Sequence, residues 1–313
     1  MNQSALFEEI RLRVESEMLD LPAPDKIPLF YEPIYFINRL KGKKIRPLLT
    51  VLSGLAVGGR IENLLKPAAA IELLHNFSLV HDDIMDNDDT RRGQPTVHVK
   101  WDLGTAILAG DGLLGLAYRK LLQTPSEMIS RITTLFTDAM LEICEGQALD
   151  KTFESAPTIP EDSYLEMIGK KTARLIRLAC EIGAIVGEGS EDDISNLAGF
   201  GYHIGMGFQI QDDLLDIFAD EQTLGKRVGS DLAMDKKTIA TIRLKKIAPE
   251  FDFSKENMTN FRDTLREKGI VAQIERQAET YFDEAKTYLS RLSTNIYIEN
   301  LEKLSAYLLK REK

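Results

Sequence analysis

The stretch AAAIELLHNFSLVHDDIMD, residues 68–86, decides the fold. It holds neither glycine nor proline, and its apolar residues run unbroken at helical spacings until the aspartates begin. That pattern predicts one long helix. A helix apolar on nearly every side has to be enclosed by other helices, so the segment predicts a bundle with buried central members.

Outward from it, the same reading continues. Gly58-Gly59 ends a helix over 46–57, and Pro67 suits the first turn of the next one. Leu6, Phe7, Ile10, Val14 and Met18 form an apolar stripe at spacings of three and four. LPAPDKIPLFYEP (21–33) carries four prolines and predicts a break, with helix resuming around 34–40. TRRGQPT (90–96) reads as a turn. Further helices are expected over 102–121, 126–150, 162–187, 191–219, 236–247, 255–267, 269–292 and 295–311, with Ser126 and Ser163 placed as N-caps. Extended alternation is absent, so strands are not expected. The result is an all-α class with a single domain over residues 1–313.

Composition narrows the function. The chain has 313 residues, 43% hydrophobic and 28% charged, with a net charge of -10. That balance argues against a nucleic-acid partner, which calls for a basic face. No run approaches the ~18 apolar residues of a membrane span. The first residues lack the pattern of a signal peptide. Cys144 and Cys180 do not make a disulfide framework. A cytoplasmic protein is therefore expected.

HDDIMD (81–86) ends one apolar helix, and QDDLLD (211–216) ends another 130 residues later. Each is Asp-Asp-x-x-Asp. On a helix Asp82 and Asp86 share a face, as do Asp212 and Asp216, with Asp83 and Asp213 a step around. Like charges at this spacing destabilise a helix, and at its C-terminal end the macrodipole adds to the penalty. Hard cations relieve both, and oxygen ligands of this kind suit Mg2+, which shares its shell with substrate phosphates. An EF-hand fails, because a loop started at Asp86 puts Arg91 at the required glycine and Val97 at the required glutamate.

Cations flank both motifs. Arg91 and Arg92 follow the first, KGKKIRP (41–47) supplies Lys43, Lys44 and Arg46, and His75 lies about two turns before Asp82. GKKTARL (169–175) brings Lys170, Lys171 and Thr172, while LGKRVGSDLAMDKKT (224–238) brings Lys226 and Lys236. Singly, each lysine is compatible with a solvated helix face. Their joint placement beside the acidic motifs is what suggests anion binding.

Taken together, KGKKIRP, ELLHNFSLVHDDIMDNDDTRRGQPTVH, GKKTARL, GFQIQDDLLD and GKRVGSDLAMDKKT resemble the trans-type polyprenyl diphosphate synthase family, over roughly residues 40–240. The resemblance implies a large helical bundle of the isoprenoid synthase type with a central active-site cavity. It implies that Asp82, Asp86, Asp212 and Asp216 ligate a cluster of about three Mg2+ ions on an allylic diphosphate, supported by Asp83 and Asp213. Arg91, Lys171, Lys226 and Lys236 would contact that diphosphate. Lys43, Arg46, His75 and Arg92 would hold isopentenyl diphosphate. Thr172 and Gln209 would turn their oxygens to a developing carbocation. A homodimer is implied as well. The family pattern has Gly-Gly-Lys-Arg where this chain has Lys41-Gly42-Lys43-Lys44, so a phosphate contact at Lys44 would lack the guanidinium fork.

Elongation would drive the product tail back along the 68–86 helix toward Phe77, Ser78 and Leu74. An aromatic residue five before Asp82, in the family, goes with short to medium products. The expected product is geranylgeranyl diphosphate (C20), with farnesyl diphosphate (C15) or a longer chain as alternatives. A class I terpene cyclase and a non-catalytic subunit of a heteromeric synthase are the rival readings. Retention of both Asp-Asp-x-x-Asp motifs and of KGKKIRP argues against them.

Overall fold

In the computed structural model, which describes residues 3–218, 236–254 and 257–310, the stretch 68–86 lies in a helix of 25 residues, α4 (Ile61–Met85). Ala68, Ala69, Ala70, Ile71, Leu73 and Val80 are all almost inaccessible, so burial extends around the whole helix as its pattern requires. α1 (Gln3–Leu19), α3 (Ile45–Ala56), α6 (Leu103–Leu121) and α9 (Arg174–Val186) surround it. A second long helix, α10 (Glu191–Phe218), packs on α9 and on α13 (Ile270–Leu289). Each acidic motif thus lies at the end of a long helix, α4 or α10.

The core falls into two apolar clusters. One surrounds α4 and takes Ile194, Leu197, Phe200 and Ile204 from the first half of α10. The other takes Met206, Ile210, Leu214 and Ile217 from its second half, with α8 (Glu161–Ile168), α11 (Ile239–Ile247), α12 (Met258–Glu267) and α13. α14 (Ile296–Leu309) packs on α3 and α13. Among the described residues no helix is long and apolar enough to cross a membrane. Both cysteines are free thiols, and burial pushes Cys180 up to about 12.

Several boundaries depart from the sequence reading. α2 spans Pro28–Arg39 and contains Pro33, six residues earlier than expected. Burial of Ile34 and Ile37 on the helix outweighs the one hydrogen bond that Pro33 cannot donate. α4 likewise starts at Ile61, so Pro67 lies inside it rather than in its first turn. α7 (Ile129–Glu154) begins after Ser126, whose hydroxyl accepts from Met128 N in the preceding turn. Ser163 lies within α8, which is entered from Pro160 with Glu161 and Asp162 in its first turn. There the acidic residues favour the positive helix end without a serine cap. Thr238 caps α11 by accepting from Thr241 N. TRRGQPT forms a two-residue antiparallel ladder pairing Thr90 with Pro95 and Arg91 with Gln94, and a short helix, α5 (Val97–Lys100), follows. Its turn places Arg92 and Gly93 at φ 52° and 72°, which glycine adopts freely and arginine rarely.

Candidate active site

The end of α4 gathers cations from four other segments. Lys236 Nζ donates to Asp86 Oδ2 at 2.8 Å, and Lys151 of α7 lies 3.6 Å from Asp86 Oδ1. Burial alone would raise the Asp86 carboxyl, yet Lys236, Lys171 and Lys151 hold it below the usual range. At Asp82 the balance reverses: burial raises the carboxyl despite Lys171 nearby. Asp83 is buried and pushed up to about 7, with Arg91 pulling the other way. Arg91 donates through Nε to Asp83 at 2.5 Å and through a terminal nitrogen to Asp88 at 3.2 Å. Asp88 is therefore an anchor for Arg91. Asp89 serves through its backbone, its carbonyl accepting from Thr96 N at 3.0 Å.

The GKKTARL segment does not continue the α-helix. Gly169–Ala173 is a single π turn between α8 and α9, a distortion that recurs at functional sites. Two glycines make room for it. A Cβ on Gly146 of α7 would stand 2.4 Å from Lys171 N, and one on Gly205 of α10 would stand 2.6 Å from Ala173 Cα. So clamped, Lys171 donates to Asp150 at 2.5 Å. Thr172 Oγ1 donates to Gln209 Oε1 at 2.8 Å, and Gln209 Nε2 donates to Asp213 Oδ1 at 3.0 Å. Asp213 is buried and also accepts from Tyr164 OH at 2.6 Å and Ile239 N. Its carboxylate ties α8, α10 and α11 together. Asp216 is buried and Asp212 half-buried on the same helix.

Two turns up α4, a separate cationic group forms. Arg46 of α3 donates to His75 Nε2 at 3.2 Å. Burial, then Arg46, Arg92 and Lys44, hold His75 well below its ordinary pKa. The ring is thus neutral and able to accept, which leaves the proton on Nδ1. Arg92 lies against Gly42, whose missing side chain lets the guanidinium approach. Lys43 is exposed and places Nζ 4.9 Å over the Tyr307 ring, toward α1 and α14. Lys44 does not line an open phosphate site. It is buried in a left-handed turn and pairs at 3.2 Å with Glu72 of α4.

Along the same helix, Leu74 is buried and Phe77 is 8% exposed. The Phe77 ring meets His81 edge-on, centroids 4.8 Å apart, and His81 in turn packs against Gly110 of α6. Ser78 donates its hydroxyl to His75 O, within its own helix. Lys226 lies outside the described residues.

Sequence reasoning missed Gly146, Asp150, Lys151, Tyr164 and Glu72. The signal for the first three was present in EGQALDK (145–151), a small residue then charges at one-turn spacing on an otherwise apolar helix. Nothing local marks Tyr164 or Glu72.

The donor set suits Mg2+. Asp86 Oδ1 is buried with no hydrogen-bond donor among the described residues, on the face it shares with Asp82. Among the described residues no three His, Cys, Asp or Glu side chains converge to cage a metal unaided.

A bundle in which two long helices, α4 and α10, each carry Asp-Asp-x-x-Asp near their ends, with lysines and an arginine gathered at the first motif, has the all-α isoprenoid synthase architecture of prenyltransferases. Residues 27–274 match the polyprenyl synthetase family, and the chain belongs to that family. It is 47% identical over 235 residues to the short chain isoprenyl diphosphate synthase of Methanothermobacter thermautotrophicus, covering 75% of this chain and 72% of that one. It is 38% identical over 305 residues to the geranylgeranyl diphosphate synthase of Sulfolobus acidocaldarius, covering 92% of each. The crystal structure of geranylgeranyl pyrophosphate synthetase from Pyrococcus horikoshii superposes with a TM-score of 0.92 at 35% identity, over all of both chains. The chain is a trans-prenyltransferase.

Proposed function

We propose that this enzyme condenses isopentenyl diphosphate with an allylic diphosphate and releases geranylgeranyl diphosphate, working as a single domain over residues 1–313. The observation that carries the reading is that cations gather at two separate places along α4. Asp82 and Asp86 with their lysines stand at its end, and the Arg46–His75–Arg92 group stands about two turns earlier. Chain elongation requires two diphosphates held at once, whereas a cyclase requires one.

Asp82, Asp86, Asp212 and Asp216 hold Mg2+, which supplies Lewis-acid stabilisation of the departing diphosphate. Arg91, Lys171 and Lys236 add fixed positive charge where negative charge develops as the C–O bond breaks. Arg46, Arg92 and neutral His75 orient isopentenyl diphosphate so that its double bond meets the allylic carbon, and Lys43 would join them by swinging off the Tyr307 ring. The Thr172–Gln209–Asp213 chain fixes the direction of the Thr172 proton, leaving oxygen lone pairs for the carbocation. No side chain among these is a dedicated base, so the departing diphosphate takes the proton. The apolar bundle keeps out water that would trap the cation.

The C20 product is supported by the Sulfolobus and Pyrococcus relatives and by Phe77, whose braced ring would floor the tail path. Two copies pair through the outward face of α6, where Leu103, Ile107 and Leu108 are exposed. Two free thiols support a reducing, cytoplasmic setting. Incubation with labelled isopentenyl diphosphate and C5, C10 or C15 allylic primers, with Mg2+ or with EDTA, tests the reading. Label enters a longer product only with Mg2+; no incorporation with any primer overturns it.

A further inference from the structure

The lysines around Asp86 differ in what anchors them. Lys151 donates to Met85 O at 3.0 Å, the carbonyl of the last residue of α4, and to Glu154 Oε1 at 2.9 Å. From there it faces Asp86 Oδ1 at 3.6 Å, a buried carboxylate oxygen with no hydrogen-bond donor among the described residues. Its partners in α4 and α7 are not substrate or metal groups, so its charge stays in place whatever Asp86 binds. The last carbonyls of a helix lack intrahelical donors and carry the negative end of the dipole. Lys151 answers that deficit and the aspartate repulsion together. Its side chain is one-third exposed, so solvent screens its field only in part.

We propose that Lys151 is a resident counter-ion of the first acidic motif, a positioning residue that keeps the end of α4 ordered without metal and lowers the affinity of Asp86 for Mg2+. A fixed ammonium beside a ligand oxygen repels a divalent ion arriving at that oxygen. It also supplies part of the charge the ion would otherwise bring. Metal loading is then tied to diphosphate, whose added negative charge offsets the resident cation. The inference rests on the reading of the acidic motifs as the Mg2+ and diphosphate site.

The test is thermal unfolding of the full chain in EDTA and across a Mg2+ titration at fixed inorganic pyrophosphate, which needs no turnover. Lys151→Met is expected to melt lower than wild type in EDTA. It should half-saturate at about tenfold less Mg2+, the effect of one unit charge a few ångströms from a divalent ion in a largely aqueous dielectric. Lys151→Arg, which keeps the charge, should track wild type, and Lys151→Gln repeats the neutral case if the methionine variant does not fold. Half-saturation of the neutral variants at the same or higher Mg2+ overturns the inference while leaving the proposed function intact. A wild type with no Mg2+-dependent shift removes the reading of the acidic motifs, and the inference falls with it.

Discussion

Lys236 donates to Asp86 at 2.8 Å, joining positions 150 residues apart and bringing the segment after the second acidic motif onto the first. The first motif is thereby balanced by charge from outside its own helix. Among the described residues Asp82 has no such direct partner, and burial raises its carboxyl. Asp82→Asn should therefore leave the melting temperature in EDTA unchanged or higher, while turnover falls at least about 100-fold through loss of a metal ligand. Full activity in the variant would remove Asp82 from the site.

Gly146→Ala tests the clamp on the π turn. Its Cβ would stand 2.4 Å from Lys171 N, a backbone atom that cannot rotate away. Overpacking of this kind costs about 1–3 kcal/mol. Denaturant unfolding should show that loss, and kcat should fall with it because Lys171 and Thr172 ride on the displaced turn. Wild-type values for both would mean that the turn yields freely.

The Lys44–Glu72 pair lies wholly inside the protein. Removing one partner of a buried ion pair costs about 3–5 kcal/mol, whereas replacing both with apolar residues is often neutral. Lys44→Met and Glu72→Leu are each expected to destabilise strongly, and the double variant to recover most of the loss. A double variant no better than the worse single would show that the charges act separately.

These cases show what the sequence carries. The periodicity of 68–86 and the aspartates ending two apolar helices made the bundle and both acidic motifs legible, because helix faces and repeated charge are local signals. The π turn was hidden, since GKKTARL fits an α-helix and only Gly146 and Gly205 reveal the squeeze. Lys44 and Glu72 lie far apart in the chain, and nothing in either stretch names its partner. Pro33 and Pro67 misled for the opposite reason. Proline's local penalty is plain in a sequence, while the burial that outweighs it is not.

Phe77→Ala removes a nearly buried ring that rests on His81. Such truncations cost about 3–5 kcal/mol. If Phe77 floors the tail path, the variant should also extend its products beyond C20 when isopentenyl diphosphate is in excess. An unchanged product distribution in the folded variant would clear Phe77 of that role.

His75 gives a pH signature. Burial and neighbouring cations depress its folded-state pKa below the unfolded 6.5. Below that pH the unfolded chain binds a proton that the folded chain refuses. The stability it contributes is therefore complete above about pH 6.5 and is lost as pH falls, by ~1.4 kcal/mol per pH unit until the folded pKa is reached. His75→Gln should flatten the stability profile over this range, measured by denaturant unfolding at each pH. Parallel profiles for the two proteins would contradict a neutral, buried His75.

The most direct measurement is a single-turnover incubation of wild-type enzyme with Mg2+, farnesyl diphosphate and labelled isopentenyl diphosphate, quenched and sized by chain length. Transfer of the label into a C20 diphosphate, with one inorganic diphosphate released per bond formed, is the predicted result. Label that stays in isopentenyl diphosphate, from a folded enzyme, would contradict chain elongation itself.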